Sequence, residues 1–125
     1  MNKDIVSTPH APAAIGPYSQ AVRTGLVVFT SGQIGLDPAT GQLVEGFEPQ
    51  VRRAFANLDA VAQAAGGSLA SGVKFTLYLT DLTQFATVNQ IMGELLPQPY
   101  PARSTVGVAS LPRGAAFEVE AILVL

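Results

Sequence analysis

Residues 101–125 read PARSTVGVASLPRGAAFEVEAILVL. Two apolar runs flank a turn at Leu111-Pro112-Arg113-Gly114, where Pro presets φ and Gly supplies the positive-φ position that a turn uses. Arg103 opens the first run. The second carries Glu118 and Glu120 among Phe117, Val119, Ala121, Ile122, Leu123, Val124 and Leu125. Alternate residues of a strand share a face, so both acids stand beside Ile122 and Val124. A carboxylate in such surroundings is paired, hydrogen-bonded or protonated. The second run is apolar on both faces, which predicts a strand covered on both sides.

Upstream, Pro97-Gln98-Pro99-Tyr100-Pro101 ends a helix whose apolar stripe is Leu82, Phe85, Val88, Ile91, Met92 and Leu95. Asp81 caps it, and Gln84 three residues on completes a capping-box pattern. Val73 to Thr80 alternates cleanly, with Val73, Phe75, Leu77 and Leu79 on one face, and predicts a half-buried strand. Glu48 to Ala65 is a first helix with Pro49 in its opening turn and a stripe of Val51, Phe55, Leu58, Val61, Ala62 and Ala65. Gly66-Gly67 stops it. Asp37 to Gly41 is a turn, and Leu43-Val44 forms a short strand. Ala21–Arg23 and Leu26–Thr30 form a hairpin around Thr24-Gly25, and Ile5–Ser7 an edge strand. Thr8 to Gly16 is loop, with Pro9, Pro12 and Gly16 as breakers.

The predicted order is hairpin, helix, strand, helix, strand, strand: an α+β chain of one domain, residues 1–125, with two helices on a mixed sheet. If both helices share one face, nothing in the chain covers the other. Yet Leu26–Phe29 and Phe117–Leu125 are apolar on both sides. Burial against further copies resolves this, and a homo-oligomer is expected.

The 125 residues carry 13% charged and 48% hydrophobic side chains, a net charge of −2 and no Cys. A nucleic-acid footprint needs a basic patch, and the seven Lys and Arg form none. Thiolate chemistry and disulfides are excluded. Met1 to Val6 has no apolar signal core, and no run reaches the ~20 apolar residues of a membrane helix, so a soluble cytoplasmic protein is expected.

His10, the only His, reads as a solvated loop residue, since partner ligands for a metal are missing. No Gly-x-Ser-x-Gly elbow or phosphate-cradling loop occurs. What remains is Arg103, Glu118, Tyr18 and the Ser31-Gly32-Gln33 corner, whose donors either line a pocket or cap a strand. Arg grips a planar carboxylate through two charge-assisted bonds, and a Glu in apolar surroundings exchanges protons or positions water. Together these suit hydrolysis of a small carboxylate-bearing substrate. Spacing alone favours the other reading, a structural salt bridge from Arg103 to Glu118 or Glu120.

The stretches Ala13-Ala14-Ile15-Gly16-Pro17-Tyr18-Ser19-Gln20, Phe29-Thr30-Ser31-Gly32-Gln33-Ile34, Asn57-Leu58, Phe85-Ala86-Thr87-Val88-Asn89, Pro101-Ala102-Arg103-Ser104 and Leu111-Pro112 with Phe117-Glu118-Val119-Glu120-Ala121 resemble the RidA/YjgF family of reactive intermediate/imine deaminases over nearly the whole chain. The resemblance implies a chorismate-mutase-like homotrimer, with the sheets forming a central barrel, the helices outside and the sites between subunits. It implies hydrolysis of 2-iminobutanoate and 2-iminopropanoate, or their enamines, to 2-keto acids and ammonia, without cofactor or metal. Such intermediates leak from pyridoxal-phosphate dehydratases, so the role is metabolite damage control. By resemblance Arg103 clamps the carboxylate, Glu118 positions water or shuttles its proton, and Tyr18, Ser31 and Gly32 line the site. Asn89 matches the pattern with no role assigned, and Glu120 reads as structural. Many relatives carry Cys where this chain has Thr105, whose backbone N–H remains available to substrate, and a larger residue at Gly107. The competing readings are a non-catalytic module that binds 2-keto acids and an endoribonuclease.

Overall fold

A computed structural model describes residues 2–125. The chain enters through β1 (Asp4–Val6) and forms a hairpin of β2 (Ala21–Thr24) and β3 (Val27–Thr30). Gly25 turns this hairpin at φ 60°, a conformation that a side chain resists. The two-residue strand β4 (Gln33–Ile34) precedes helix α1 (Phe47–Ala64). Then follow β5 (Gly72–Leu79), helix α2 (Phe85–Leu95), β6 (Ala102–Gly107) and β7 (Phe117–Val124). The sheet order is β1-β2-β3-β7-β5-β6, and β4 also pairs with β7. Only β5 and β6 run parallel, joined by α2. The C-terminal strand thus lies in the middle, and its register ties the N-terminal hairpin to the second half of the chain.

Periodicity explains the core. Val51, Phe55, Leu58, Val61 and Ala62 of α1 are buried, as are Phe75, Leu77 and Leu79 of β5 and Phe117, Val119 and Leu123 of β7. Phe55 sits between Phe75 and Phe117, with ring centroids 6.3 and 5.7 Å away. Each such side chain contributes about 1.5–3 kcal/mol on burial. Val88, Ile91 and Met92 of α2 join the same cluster. Asn57, fully buried, donates to Ile34 O (3.1 Å) and Leu36 O (2.8 Å) and so fixes β4 against α1.

The opposite sheet face is covered by neither helix. Its rows follow from the register: Val22, Phe29, Ile122 and Lys74; then Glu120, Thr76 and Ser104; then Glu118, Tyr78 and Val106. Phe29 is 49% exposed and Val124 45%. Two polar contacts cross the rows: Tyr78 Oη donates to Glu120 Oε1 at 2.6 Å, and Lys74 Nζ to Ser104 Oγ at 3.1 Å.

Several local expectations change. Leu43-Val44 makes only an isolated bridge, Leu36 to Leu43, because Val44 N is bound to Gly35 O instead. A register shift between Gly72 and Lys74 turns Val73 outward. Asp81 caps a 3-10 turn (Leu82–Gln84), accepting from Thr83 N, while the bond from Gln84 to Asp81 is between backbones. Leu82 and Leu95 lie outside the core. The helix ends at Leu95, and the extended backbone of Leu96 (φ −110°, ψ 133°) turns that residue inward. At the final turn Arg113 as well as Gly114 has positive φ (61° and 71°).

Candidate active site

Arg103 stands on edge strand β6 in register with Phe75, on the helix-covered face. Its guanidinium carbon lies 5.0 Å from the centroid of the Phe85 ring. Its Nη1 donates to Asn89 Oδ1 at 2.6 Å and reaches Met92 Sδ at 3.7 Å. Phe85, Asn89 and Met92 are spaced i, i+4, i+7 on α2, so one helix face makes a cradle for the cation. Among the described residues no carboxylate pairs with Arg103, and its Nε and Nη2 remain open. A cavity of about 460 Å³ adjoins it, lined also by Asn89, Met92 and Tyr100. On the other side, Arg103 shares a hollow with Thr105, Leu82 and Phe85.

Glu118 occupies a different place. It is in register with Tyr78 and Ile34, on the uncovered face. Burial pushes its carboxyl above the ordinary 4.5, and the neighbouring Glu120 carboxylate adds to the effect. The same Glu120 is the main cause of the Tyr78 phenol rising to about 12, with burial second. Glu118, Gly32 and Tyr18 line one cavity of about 370 Å³ together with Ile15, Gln33 and Arg113. Gly32 is required there: a Cβ would come within 2.7 Å of Glu118 Cδ. The Tyr18 hydroxyl accepts from Ile15 N at 3.3 Å, which places the ring beside the loop. That loop is fastened by buried Gln20, bound to Thr8 N (2.7 Å) and Pro12 O (2.8 Å).

The chain therefore gathers the expected residues in two separate groups, candidate halves of one site. Tyr18, Gly32 and Glu118 form one; Arg103 and Thr105 form the other. The structural salt bridge from Arg103 to Glu118 or Glu120 does not exist, because the sheet separates them. Ser31 does not line the cavity; its hydroxyl donates to Ser19 O at 2.6 Å and fastens the strand end. Leu82 fills the space a side chain at Gly107 would take, at 3.0 Å from a built Cβ. His10 is exposed. Among the described residues no group of three His, Asp or Glu is placed to hold a metal, and no helix is long and apolar enough to cross a membrane.

Sequence reasoning named Asn89, Phe85 and Arg113 but gave them no role in the site. The available signal was a lone amide in the middle of an apolar helical stripe. A larger hollow of about 680 Å³ near Asp4 and Arg23 carries no comparable chemistry. Arg23 there is bound to Gly25 O and Ala65 O, closing the end of α1.

Comparison with known proteins adds the family. The model of the family described as Endoribonuclease L-PSP matches residues 8–125. A 2-iminobutanoate/2-iminopropanoate deaminase of Dermatophagoides farinae is 44% identical, covering 98% of this chain and 97% of the relative. The crystal structure of RidA from Psychrobacter sp. PAMC 21119 superposes with TM-score 0.96 at 49% identity, over 98% of this chain and 99% of that one. Escherichia coli TdcF with bound serine gives TM-score 0.91 at 44% identity, with 98% and 99% coverage.

Proposed function

This chain belongs to the RidA/YjgF family, and we propose that it hydrolyses 2-imino acids such as 2-iminobutanoate and 2-iminopropanoate to 2-keto acids and ammonia. The observation that carries the reading is that an Arg103 without a partner carboxylate and a half-buried Glu118 with a raised pKa both occur in a chain so similar to such deaminases. Arg103 grips the substrate carboxylate through Nε and Nη2, while Asn89 and Phe85 hold the guanidinium. The Thr105 backbone N–H adds a donor. Glu118 takes a proton from water as its oxygen attacks the C=N carbon and passes it to nitrogen; it then carries the hydroxyl proton of the resulting carbinolamine to the amino group, so that the C–N bond breaks, ammonia leaves and the keto group forms. Only water is consumed. Tyr18 and Gly32 bound the other end of the substrate, and Ser31 holds Gly32 in place.

The site is completed between subunits of a homotrimer whose uncovered sheet faces meet as a central barrel. Two features support this. The half-sites lie on opposite faces of one sheet, and the uncovered face exposes Phe29 and Val124. A neighbouring subunit then brings its Arg103 to the cavity of Glu118, which this chain's own Arg103 cannot reach across the sheet.

The test is ammonia or keto-acid release from 2-iminobutanoate generated in situ, counted above the spontaneous rate. Wild-type protein accelerates it, and Arg103→Ala and Glu118→Ala abolish the acceleration. Well-folded wild type without acceleration contradicts the reading. A carboxylate-binding module is the second reading, favoured by the serine in Escherichia coli TdcF. It predicts keto-acid binding that survives Glu118→Ala and no turnover at all. RNA cleavage has less support, given the net charge of −2 and an exposed His10.

A further inference from the structure

We infer that Thr30 is a positioning residue: its side-chain hydroxyl holds open a one-residue bulge that seats the Gly32 backbone against the Glu118 side chain. The inference rests on the deaminase reading for the role of Glu118. Its own evidence is a break in the central ladder. β3 pairs with β7 as far as Phe29 and Ile122, and β4 resumes the pairing at Gln33 and Val119. Four steps along residues 29–33 therefore face three along 119–122, and one residue is in excess. Continued regularly, the ladder would set Thr30 opposite Ala121, with the Thr30 carbonyl accepting from Ala121 N. Ala121 N instead donates to Thr30 Oγ1 at 2.9 Å, in a buried bond.

The segment freed from β7 is fastened on its other side. Ser31 N donates to Gln20 O (2.9 Å) and Ser31 Oγ to Ser19 O (2.6 Å). Gln20 is itself held by its buried bonds to the loop. Gly32 follows, so close to Glu118 that a Cβ would lie 2.7 Å from Cδ and 3.0 Å from Cγ. The Gly32 backbone is thus a wall for the carboxyl side chain, and the bulge sets where that wall stands. Without the Thr30 hydroxyl, Ala121 N needs another acceptor, since a buried donor is ordinarily paired. Taking up the Thr30 carbonyl draws residues 30–32 toward β7 and shifts the wall. Thr30 lines neither the cavity of Glu118 nor the hollow at Arg103, so it acts only through this geometry.

The experiment compares wild type, Thr30→Val, Thr30→Ala and Thr30→Ser. Val keeps the shape without the hydroxyl, Ala leaves room for a water on Ala121 N, and Ser keeps the hydroxyl. Turnover of 2-iminobutanoate gives kcat and KM, and thermal melting reports the fold. Carbon-13 NMR follows titration of the Glu118 carboxyl, assigned by its absence in Glu118→Gln. Tyr78, Glu120, Tyr18 and Arg113, the titratable and charged groups around Glu118 in its own chain, are the same in every variant, as is any Arg103 from a neighbouring subunit. Thr30→Val is expected to lower kcat about tenfold or more with KM within about twofold, as for a misplaced reacting group. The Glu118 midpoint is expected to move toward the ordinary 4.5 as the carboxyl loosens. Thr30→Ser is expected to match wild type in both. Wild-type kcat and an unmoved Glu118 midpoint in folded Thr30→Val or Thr30→Ala overturn the inference, whatever the melting temperature. So does failure of both variants to fold, which assigns the hydroxyl to the fold alone. Wild type without turnover removes the deaminase reading, and the Glu118 titration then decides the role of Thr30 by itself.

Discussion

Arg103 and Glu118 lie on opposite faces of the same sheet. Both are fixed through β5: Arg103 is in register with Phe75 and Glu118 with Tyr78, three positions apart on one strand. Such positions point to opposite sides. No side-chain rotation within one chain brings the guanidinium to the carboxylate. A site that uses both needs a second copy.

Gly32→Ala should impair turnover far more than folding. Its φ is ordinary, and the new methyl meets the mobile end of Glu118 rather than backbone. The carboxylate must move aside. We expect a loss of about 10²-fold or more in kcat/KM, as for a misplaced catalytic group, with the melting temperature near that of wild type. Thermal melting beside imine turnover checks both.

Asn89→Ala should raise KM about tenfold, the equivalent of one lost charge-assisted hydrogen bond. Asn89 is exposed and its bond to Arg103 is short, so its loss frees the cation without opening the core. Steady-state kinetics with Asn89→Asp as the companion variant separates geometry from charge.

Much of this fold was legible in the sequence. The stripe from Val51 to Ala62 and the alternation from Phe75 to Leu79 are local patterns, and both describe the buried surface correctly. The strand order was not legible, since pairing β7 between β3 and β5 depends on partners far away in the chain. The outward turn of Val73 and the inward turn of Leu96 depend on a register shift and a helix end, which periodicity does not encode. For the site, Arg103, Glu118, Tyr18 and Gly32 stood out by residue type. Their division between two faces did not, nor did the hold of Asn89 on Arg103, because each is fixed by tertiary register.

Activity should fall on the acid side as Glu118 takes up a proton: within its own chain, burial and then Glu120 raise that midpoint above the ordinary 4.5, and an Arg103 brought in by a neighbouring subunit draws it back. Glu120→Gln removes the second cause and should move that midpoint down. The same shift sets a stability trend. A carboxyl whose pKa is raised by folding favours the fold fully below 4.5, and that contribution is lost as pH rises through the raised value. Melting of Glu118→Gln should therefore drop less than that of wild type across this window. Rate and melting profiles against pH provide the check.

Phe29→Glu should dissociate the proposed trimer. Phe29 is half exposed in the apolar row with Val22 and Ile122, and a carboxylate there cannot be buried against another sheet without large cost. Light scattering should report monomers, and turnover should vanish because the half-sites part. A trimer that persists with full activity would show that this face is not the interface.

The most direct test mixes two inactive proteins. Arg103→Ala and Glu118→Ala chains are unfolded together, refolded at equal concentration and assayed with 2-iminobutanoate. If each site takes Arg103 from one subunit and Glu118 from its neighbour, random assembly restores roughly a quarter of wild-type sites. We predict that recovery, while each variant refolded alone stays inactive. A mixture as inactive as its parents, with trimers formed and subunits shown to exchange, would place both residues in one chain's site and contradict the account.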